Sequence, residues 1–215
     1  MDATDAPLNA PLNIILASGS PRRRDLLRDA GVKFTVRTPH EAVDEQLEPD
    51  QLIMPAEAAK KLAERKAGAV MQELLAESPV GMFAVIGADT MVVKGARIFG
   101  KPRNLEDAKG MLRELSGCTH QVITAVSVWM MAAPEAENIS MAYRTFAEAS
   151  SVTFRQLTED EIVDYLRKGE SFDKAGAYAI QGEGRALVES YEGALDNIIG
   201  LPVERLLREF PDFAS

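Results

Sequence analysis

Apolar positions along the chain fall into short continuous runs that alternate with longer amphipathic stretches. Ile14-Ile15-Leu16-Ala17 is such a run, followed by Ser18-Gly19-Ser20 and then Pro21. The pattern predicts a strand, a tight turn and a helix opening on Pro21, whose missing N–H costs nothing at the first helical position. Ser20 stands at the cap, and the helix runs past Leu26, Leu27 and Ala30 to Gly31. Residues 33–37 alternate as a strand and lead into an acidic loop, residues 41–46, set between Pro39 and Pro49. Pro55 opens a helix over residues 56–77, rich in Ala, Leu, Glu and Lys, which Ser78-Pro79 ends. Residues 83–88 are apolar without interruption, as in a strand buried on both faces. That run ends on Asp89-Thr90 before Met91-Val92-Val93 resumes it.

Residues 95–103 read as a loop, and Asn104 caps a helix with Glu106 and Asp107 in its first turn, closing near Leu115-Ser116-Gly117. Residues 121–131 are β-rich, 132–139 fit a hairpin connection, and 141–154 fit the returning strand. Thr158 and Glu161 have capping-box spacing for a helix that runs to Gly169. A loop over 170–184, a short strand over 185–190 and a helix over 203–210, opened by Gly200-Leu201-Pro202, complete the chain. Strands and helices alternate early and a hairpin follows. The economical architecture is α/β: a mixed, twisted sheet flanked by helices.

The 215 residues suffice for one substantial domain, expected over 13–212, with residues 1–12 as a disordered lead-in. A hydrophobic share of 46% and a charged share of 27% are ordinary for a globular protein. The net charge of −9 argues against a nucleic-acid partner. No signal peptide or transmembrane-length apolar run is visible, so no membrane partner is expected and the location predicted is cytoplasmic. Cys118 is the only cysteine, which excludes an intrachain disulfide and suits a reducing compartment.

In an acidic protein, cations concentrated at one point change the picture. Arg22, Arg23 and Arg24 follow Ser18 and Ser20 at a helix start, where free backbone N–H groups already favour anions. The arrangement fits a phosphate cradle, and on this stretch alone it equally fits an exposed helix start that carries arginines without a ligand. Asp89 is placed at the end of a buried strand, where α/β proteins gather reactive groups. It also fits a simple turn with Thr90. Glu45 is the natural second acid, and the two carboxylates with a phosphate can share one Mg²⁺. Lys66 and Lys101 are candidate phosphate clamps, though either alone also fits a solvated surface. Gln181, among small residues, can read a base edge through its paired donor and acceptor. Residues 95–101 have P-loop spacing, but Pro102 stands where a metal-binding hydroxyl belongs and Ile98-Phe99 are bulky. Two histidines and one cysteine argue against a Zn²⁺ site or a His-based triad. His120 reads as structural, and His40 has no visible partner.

These segments together resemble the Maf-type nucleoside triphosphate pyrophosphatases, from about Ile14 to Leu207. The resemblance rests on 16–23 (LASGSPRR), Asp44-Glu45, Glu64-Arg65-Lys66-Ala67, Gly87-Ala88-Asp89-Thr90, Gly100-Lys101-Pro102, Leu115-Ser116-Gly117, His120-Gln121-Val122, Asp173-Lys174-Ala175-Gly176 and Gly200-Leu201-Pro202. It implies an inosine triphosphate pyrophosphatase-like fold, two lobes around a cleft, and metal-assisted cleavage between the α and β phosphates. The family's acidic general base falls on Asp89, with Glu45 as its metal-side partner and Lys101 beside them. Mg²⁺ or Mn²⁺ is the implied cofactor. Phosphate-binding positions fall on Ser18, Arg22, Arg23, Lys66 and Lys101, and Ser20 and Lys174 lie in the same motifs. Residues 177–182 are similar to the base-recognition segment of the dTTP/UTP subgroup, and Arg22, Thr90 and Gln181 separate it from the 7-methyl-GTP subgroup. Cys118 and Leu195 depart from the family pattern. The resemblance also allows a homodimer.

Two other functions compete with this one. A pyrophosphatase for 7-methyl-GTP or non-standard purine triphosphates needs the same phosphate machinery with a different base pocket. A nucleotide-sensing regulator of cell division needs binding without turnover, and would not require the acids at 45 and 89.

Overall fold

The computed structural model describes residues 11–47, 53–135 and 138–214. The lead-in expected over 1–12 therefore lies outside the described residues up to residue 10, as does Pro49. The first strand, β1 (Leu12–Leu16), runs into α1 (Pro21–Asp29), β2 (Thr35–Val36) and the long α2 (Pro55–Ala76). Then come β3 (Gly81–Lys94), β4 (Arg97–Phe99), α3 (Leu105–Leu115) and the hairpin of β5 (Thr119–Glu135) with β6 (Asn138–Phe154). The chain closes with α4 (Glu159–Arg167), β7 (Val188–Glu192), α5 (Leu195–Ile199) and α6 (Val203–Glu209).

One seven-stranded mixed sheet, ordered β2-β1-β3-β5-β6-β7 with β4 also on β3, carries all of this. β1 is parallel to β2 and β3, and every other pairing is antiparallel. The α/β reading holds. On one face α2 packs Ala67, Val70 and Met71 against Val85 and Ile15, and Ala59, Leu62 and Ala63 against Met91 and Val93. The other face is covered at one end by Leu27 of α1 and Leu206 of α6, over Ala84, Ile86 and Ala88. At its other end Met111, Leu112 and Leu115 of α3 and Ile162 and Leu166 of α4 meet Val92, Val122 and Phe154. Burying each of those large side chains contributes roughly 1.5–3 kcal/mol.

Several elements differ from expectation. β3 does not end at Asp89 but continues unbroken to Lys94, because β5 pairs it from Gly81 to Val93. The loop expected over 95–103 contains β4, turned back on β3 at Gly95, whose φ of 58° suits glycine. The strand expected over 33–37 keeps only Thr35–Val36, and the one over 185–190 shifts to Val188–Glu192 behind a 3-10 turn. The helix α5 was not expected at all. Caps fare better: Asn104 accepts from the Asp107 N–H, and Thr158 and Glu161 form both halves of the capping box. Ser20 stands at the cap of α1, but its side chain makes no capping hydrogen bond; its N–H donates to the Ser18 hydroxyl.

His120 is structural, as expected: 2% exposed, edge-on to Phe154 and Tyr178, with Nε2 2.7 Å from the Tyr178 hydroxyl. His40, by contrast, does have a partner, donating its backbone N–H to Glu73. Burial holds the His120 imidazole down at about 4. The unfolded chain therefore protonates first as pH falls, so this contribution is complete above about 6.5 and is lost progressively towards 4. Between pH 7 and 4 the wild type is expected to lose about 3 kcal/mol more stability than His120→Phe. Denaturant unfolding at both pH values measures this, and equal losses would contradict the assignment.

Candidate active site

The site forms where one edge of the sheet is bare. β1 covers β3 from Met82 to Ile86 and β4 covers it from Val92 to Lys94, both on the edge opposite β5. Between those pairings no strand among the described residues lies against β3. Side chains of a strand alternate between faces. Asp89 shares a face with Val85 and Met91, towards α2, whereas Thr90 points to the face of Ala88. Both reach one cavity of about 990 Å³ around the uncovered edge.

Asp89 meets α2 because the residue two before it has no side chain. A Cβ on Gly87 would lie 2.4 Å from the Ala63 carbonyl oxygen and 2.6 Å from the Ala67 nitrogen. Only glycine admits the α2 backbone at that distance. Lys66, between those two alanines, then reaches over β3. Its Nζ donates to Asp89 Oδ1 at 2.6 Å and pairs with Glu45 Oε1 at 2.8 Å. Glu45 arrives on a loop that Arg65 holds, donating to the carbonyls of Asp44 at 3.0 Å and Gln46 at 2.7 Å. The Lys66 ammonium holds the Glu45 carboxyl below the usual carboxylate range, with partial burial opposing it.

The facing wall is the start of α1. Arg23 donates from Nε to the Gly200 carbonyl at 2.8 Å, and from its terminal nitrogens to the hydroxyls of Ser18 and Thr90, each at 3.2 Å. Burial lowers the pKa of this guanidinium from its ordinary value, and the charge of Asp89 works against that shift. Arg22 lies 3.6 Å from Asp173, which also pairs with Lys174 at 2.6 Å. Lys101 follows Gly100, whose carbonyl accepts the Gly176 N–H. Ser18, Ser20, Arg22, Arg23, Glu45, Lys66, Asp89, Thr90, Lys101, Lys174 and Gln181 all line the single cavity.

Several details depart from the sequence reading. Asp89 is not at a strand end, yet the covering partner β1 does end beside it, which opens the same space. Lys66 is neither solvated nor free to act as a lone clamp; it bridges the two acids. The P-loop lookalike is the β3–β4 hairpin, and only residues 98–101 of it reach the cavity. Arg65 is a loop anchor that is not among the candidates read from the sequence, although it stands in the same Glu64-Arg65-Lys66-Ala67 motif as Lys66. Asn197 was missed because nothing predicted α5.

Among the described residues no three of His, Cys, Asp and Glu converge to hold a metal ion. Glu45 and Asp89 do converge, on the Lys66 ammonium, and each has a second oxygen not used there. Two carboxylates completed by phosphate oxygens and water suit Mg²⁺, which rarely takes an all-protein cage. The donor set fits that ion.

A family model described as Maf-like protein matches residues 13–213. The chain is similar to three curated relatives that each carry the name dTTP/UTP pyrophosphatase. The relative from Pelotomaculum thermopropionicum is 44% identical, over 90% of this chain and 92% of its own. Those from Bacillus velezensis and Lachnoclostridium phytofermentans are 42% and 39% identical, each over 93% of this chain and over 96% and 94% of their own. Among solved structures, a nucleoside-triphosphatase / dITP/XTP pyrophosphatase from Mycobacterium abscessus aligns over 94% of this chain and 95% of its own. The TM-score of that alignment is 0.40 and the identity 12%.

Gly87→Ala tests the geometry. The added methyl meets backbone rather than a flexible side chain, so α2 must move off β3, at a cost of about 3 kcal/mol. Lys66 then loosens its hold, and the Glu45 carboxyl is expected to titrate nearer its ordinary value of about 4.3. Denaturant unfolding and carboxyl NMR titration measure the two effects. Stability and Glu45 titration both unchanged would contradict the close approach.

Proposed function

The chain belongs to the Maf-like family, and on that premise we propose that it is a nucleoside triphosphate pyrophosphatase acting on dTTP and UTP. The observation that carries the reading is the convergence of Glu45, Lys66 and Asp89 opposite Arg23 and Ser18 in one cavity. A triphosphate bears roughly four negative charges, so its hydrolysis asks mainly for positioning and neutralisation. Arg22, Arg23, Lys66, Lys101 and Lys174 supply positive charge at that cavity, within a chain that is acidic overall.

In this reading Ser18 and Arg23 hold the phosphates from the start of α1. Asp89, on the facing wall, orients a water and accepts its proton as the water oxygen bonds to phosphorus. The α–β bridging P–O bond breaks, and pyrophosphate leaves with the electron pair. Lys66 keeps Asp89 and Glu45 together before substrate arrives and neutralises phosphate charge afterwards. Glu45 and Asp89 would hold a divalent metal, which when bound supplies further neutralisation of the phosphate oxygens. Gln181, on the same cavity as Tyr178 and Ile180, offers an amide that can both donate to and accept from a pyrimidine edge.

The experiment is a panel of natural and modified triphosphates assayed for pyrophosphate release with Mg²⁺, Mn²⁺ or chelator. Metal-dependent release is expected from dTTP and UTP ahead of GTP and 7-methyl-GTP. Asp89→Asn keeps the shape and removes the proton acceptor, so kcat is expected to fall about 10²–10⁴-fold while nucleotide binding is largely retained. Near-normal turnover in that variant, or binding of dTTP without any product, would overturn the reading.

A further inference from the structure

The donor direction of a chain of hydrogen bonds that runs from the cavity wall into the core is set from both ends. Arg23 has only donors, so Thr90 Oγ1 must accept from it. The Thr90 hydroxyl lies 3.0 Å from that of Thr124, a contact in which either oxygen alone could donate. Thr124 in turn donates to the Asn197 backbone carbonyl at 2.9 Å, an acceptor only. The Thr124 proton is thereby spent, and the Thr90 proton must point to Thr124. Every link runs the same way, from guanidinium to hydroxyl to hydroxyl to carbonyl.

Its far end is rigid. Asn197 is fully buried, and its side chain accepts the Thr124 N–H while donating to the Val122 carbonyl and to Ser150. All its amide hydrogens are used. Gly200, the residue that closes the same short helix, presents the carbonyl that accepts from Arg23 Nε. Arg23 is thus gripped twice through α5, once directly and once through the two threonines. Three of its five N–H groups are taken, leaving one on each terminal nitrogen without a protein partner among the described residues. Two such donors are what a phosphate needs for a two-point contact.

We propose that Thr124 and Asn197 are positioning residues for phosphate recognition: through Thr90 they fix the Arg23 guanidinium, and they leave the Thr90 hydroxyl able only to accept from a ligand. The proposal rests on reading the cavity as a triphosphate site. It gives Thr90, a position that the resemblance ties to subgroup preference, an influence on substrate that passes through Arg23. Thr124 is fully buried and absent from the cavity wall, so a change there acts only through its neighbours.

The test is calorimetric titration of the full chain with inorganic tripolyphosphate, a probe that needs no turnover. Thr124→Val keeps the shape and breaks the relay, and is expected to weaken binding about tenfold, the effect of one displaced hydrogen bond. Thr124→Ser restores the hydroxyl and is expected to restore affinity. Phe213→Leu, a core change away from the cavity, should lower the melting temperature and leave affinity alone. Wild-type affinity in Thr124→Val would overturn the proposal. So would weakening that Thr124→Ser does not repair, or equal weakening in Phe213→Leu. Should Thr124→Val not fold, NMR of the wild type decides: separate signals for the Arg23 terminal nitrogen protons support a fixed guanidinium, and one averaged signal overturns it. If the wild type cleaves no triphosphate, the activity reading fails while the tripolyphosphate titration still judges the relay.

Discussion

The whole site depends on one strand edge that is left uncovered. β1 and β4 share an edge of β3 without meeting, so the sheet has an opening beside Asp89 and Thr90. A closed edge would have hidden both residues in opposite layers of the core. The opening lets a strand present neighbouring side chains, which necessarily point to opposite faces, to the same space. The α2 layer brings Lys66 to one side of that opening, and α1 with α5 bring Arg23 to the other. The distance on the α2 side is set at Gly87, where the helix backbone lies too close for any side chain.

Charge follows from this geometry. A carboxylate as buried as Asp89 is costly to desolvate unless a cation meets it, and Lys66 does so at 2.6 Å. The same ammonium draws in Glu45, whose loop Arg65 also holds. On the facing wall the hydrogen-bond partners of Arg23 among the described residues are neutral: a carbonyl and two hydroxyls. Its charge is therefore not cancelled by contact and stays available to an anion. One wall carries paired charge and the other an unpaired cation, a division suited to holding phosphates against a water-activating acid.

Much of this was legible in the sequence because local chemistry speaks locally. Pro21 after two serines marks the start of α1, Asn104 and Thr158 mark two further helices, and the uninterrupted apolar run before Asp89 marks a central strand. All eleven candidate site residues share one cavity, although Lys66 lies mid-helix and Asp89 and Thr90 lie mid-strand. What stayed hidden was long-range. Met91-Val92-Val93 hints that the strand resumes after Asp89, but nothing nearby tells that pairing with β5 carries it through without a break. Nothing near Lys66 tells that it bridges two acids. α5 is five residues long, too short for a periodic signal, and its hold on Thr124 and Arg23 comes from segments far away in the chain.

The most direct measurement is a crystal structure of the protein with a non-hydrolysable dTTP analogue. The account predicts the phosphates lodged at the bare edge of β3, with oxygens at hydrogen-bond distance from Arg23 and Ser18 on one side and from Lys66 on the other. Phosphates bound elsewhere, with Lys66 still closed on Glu45 and Asp89, would contradict it.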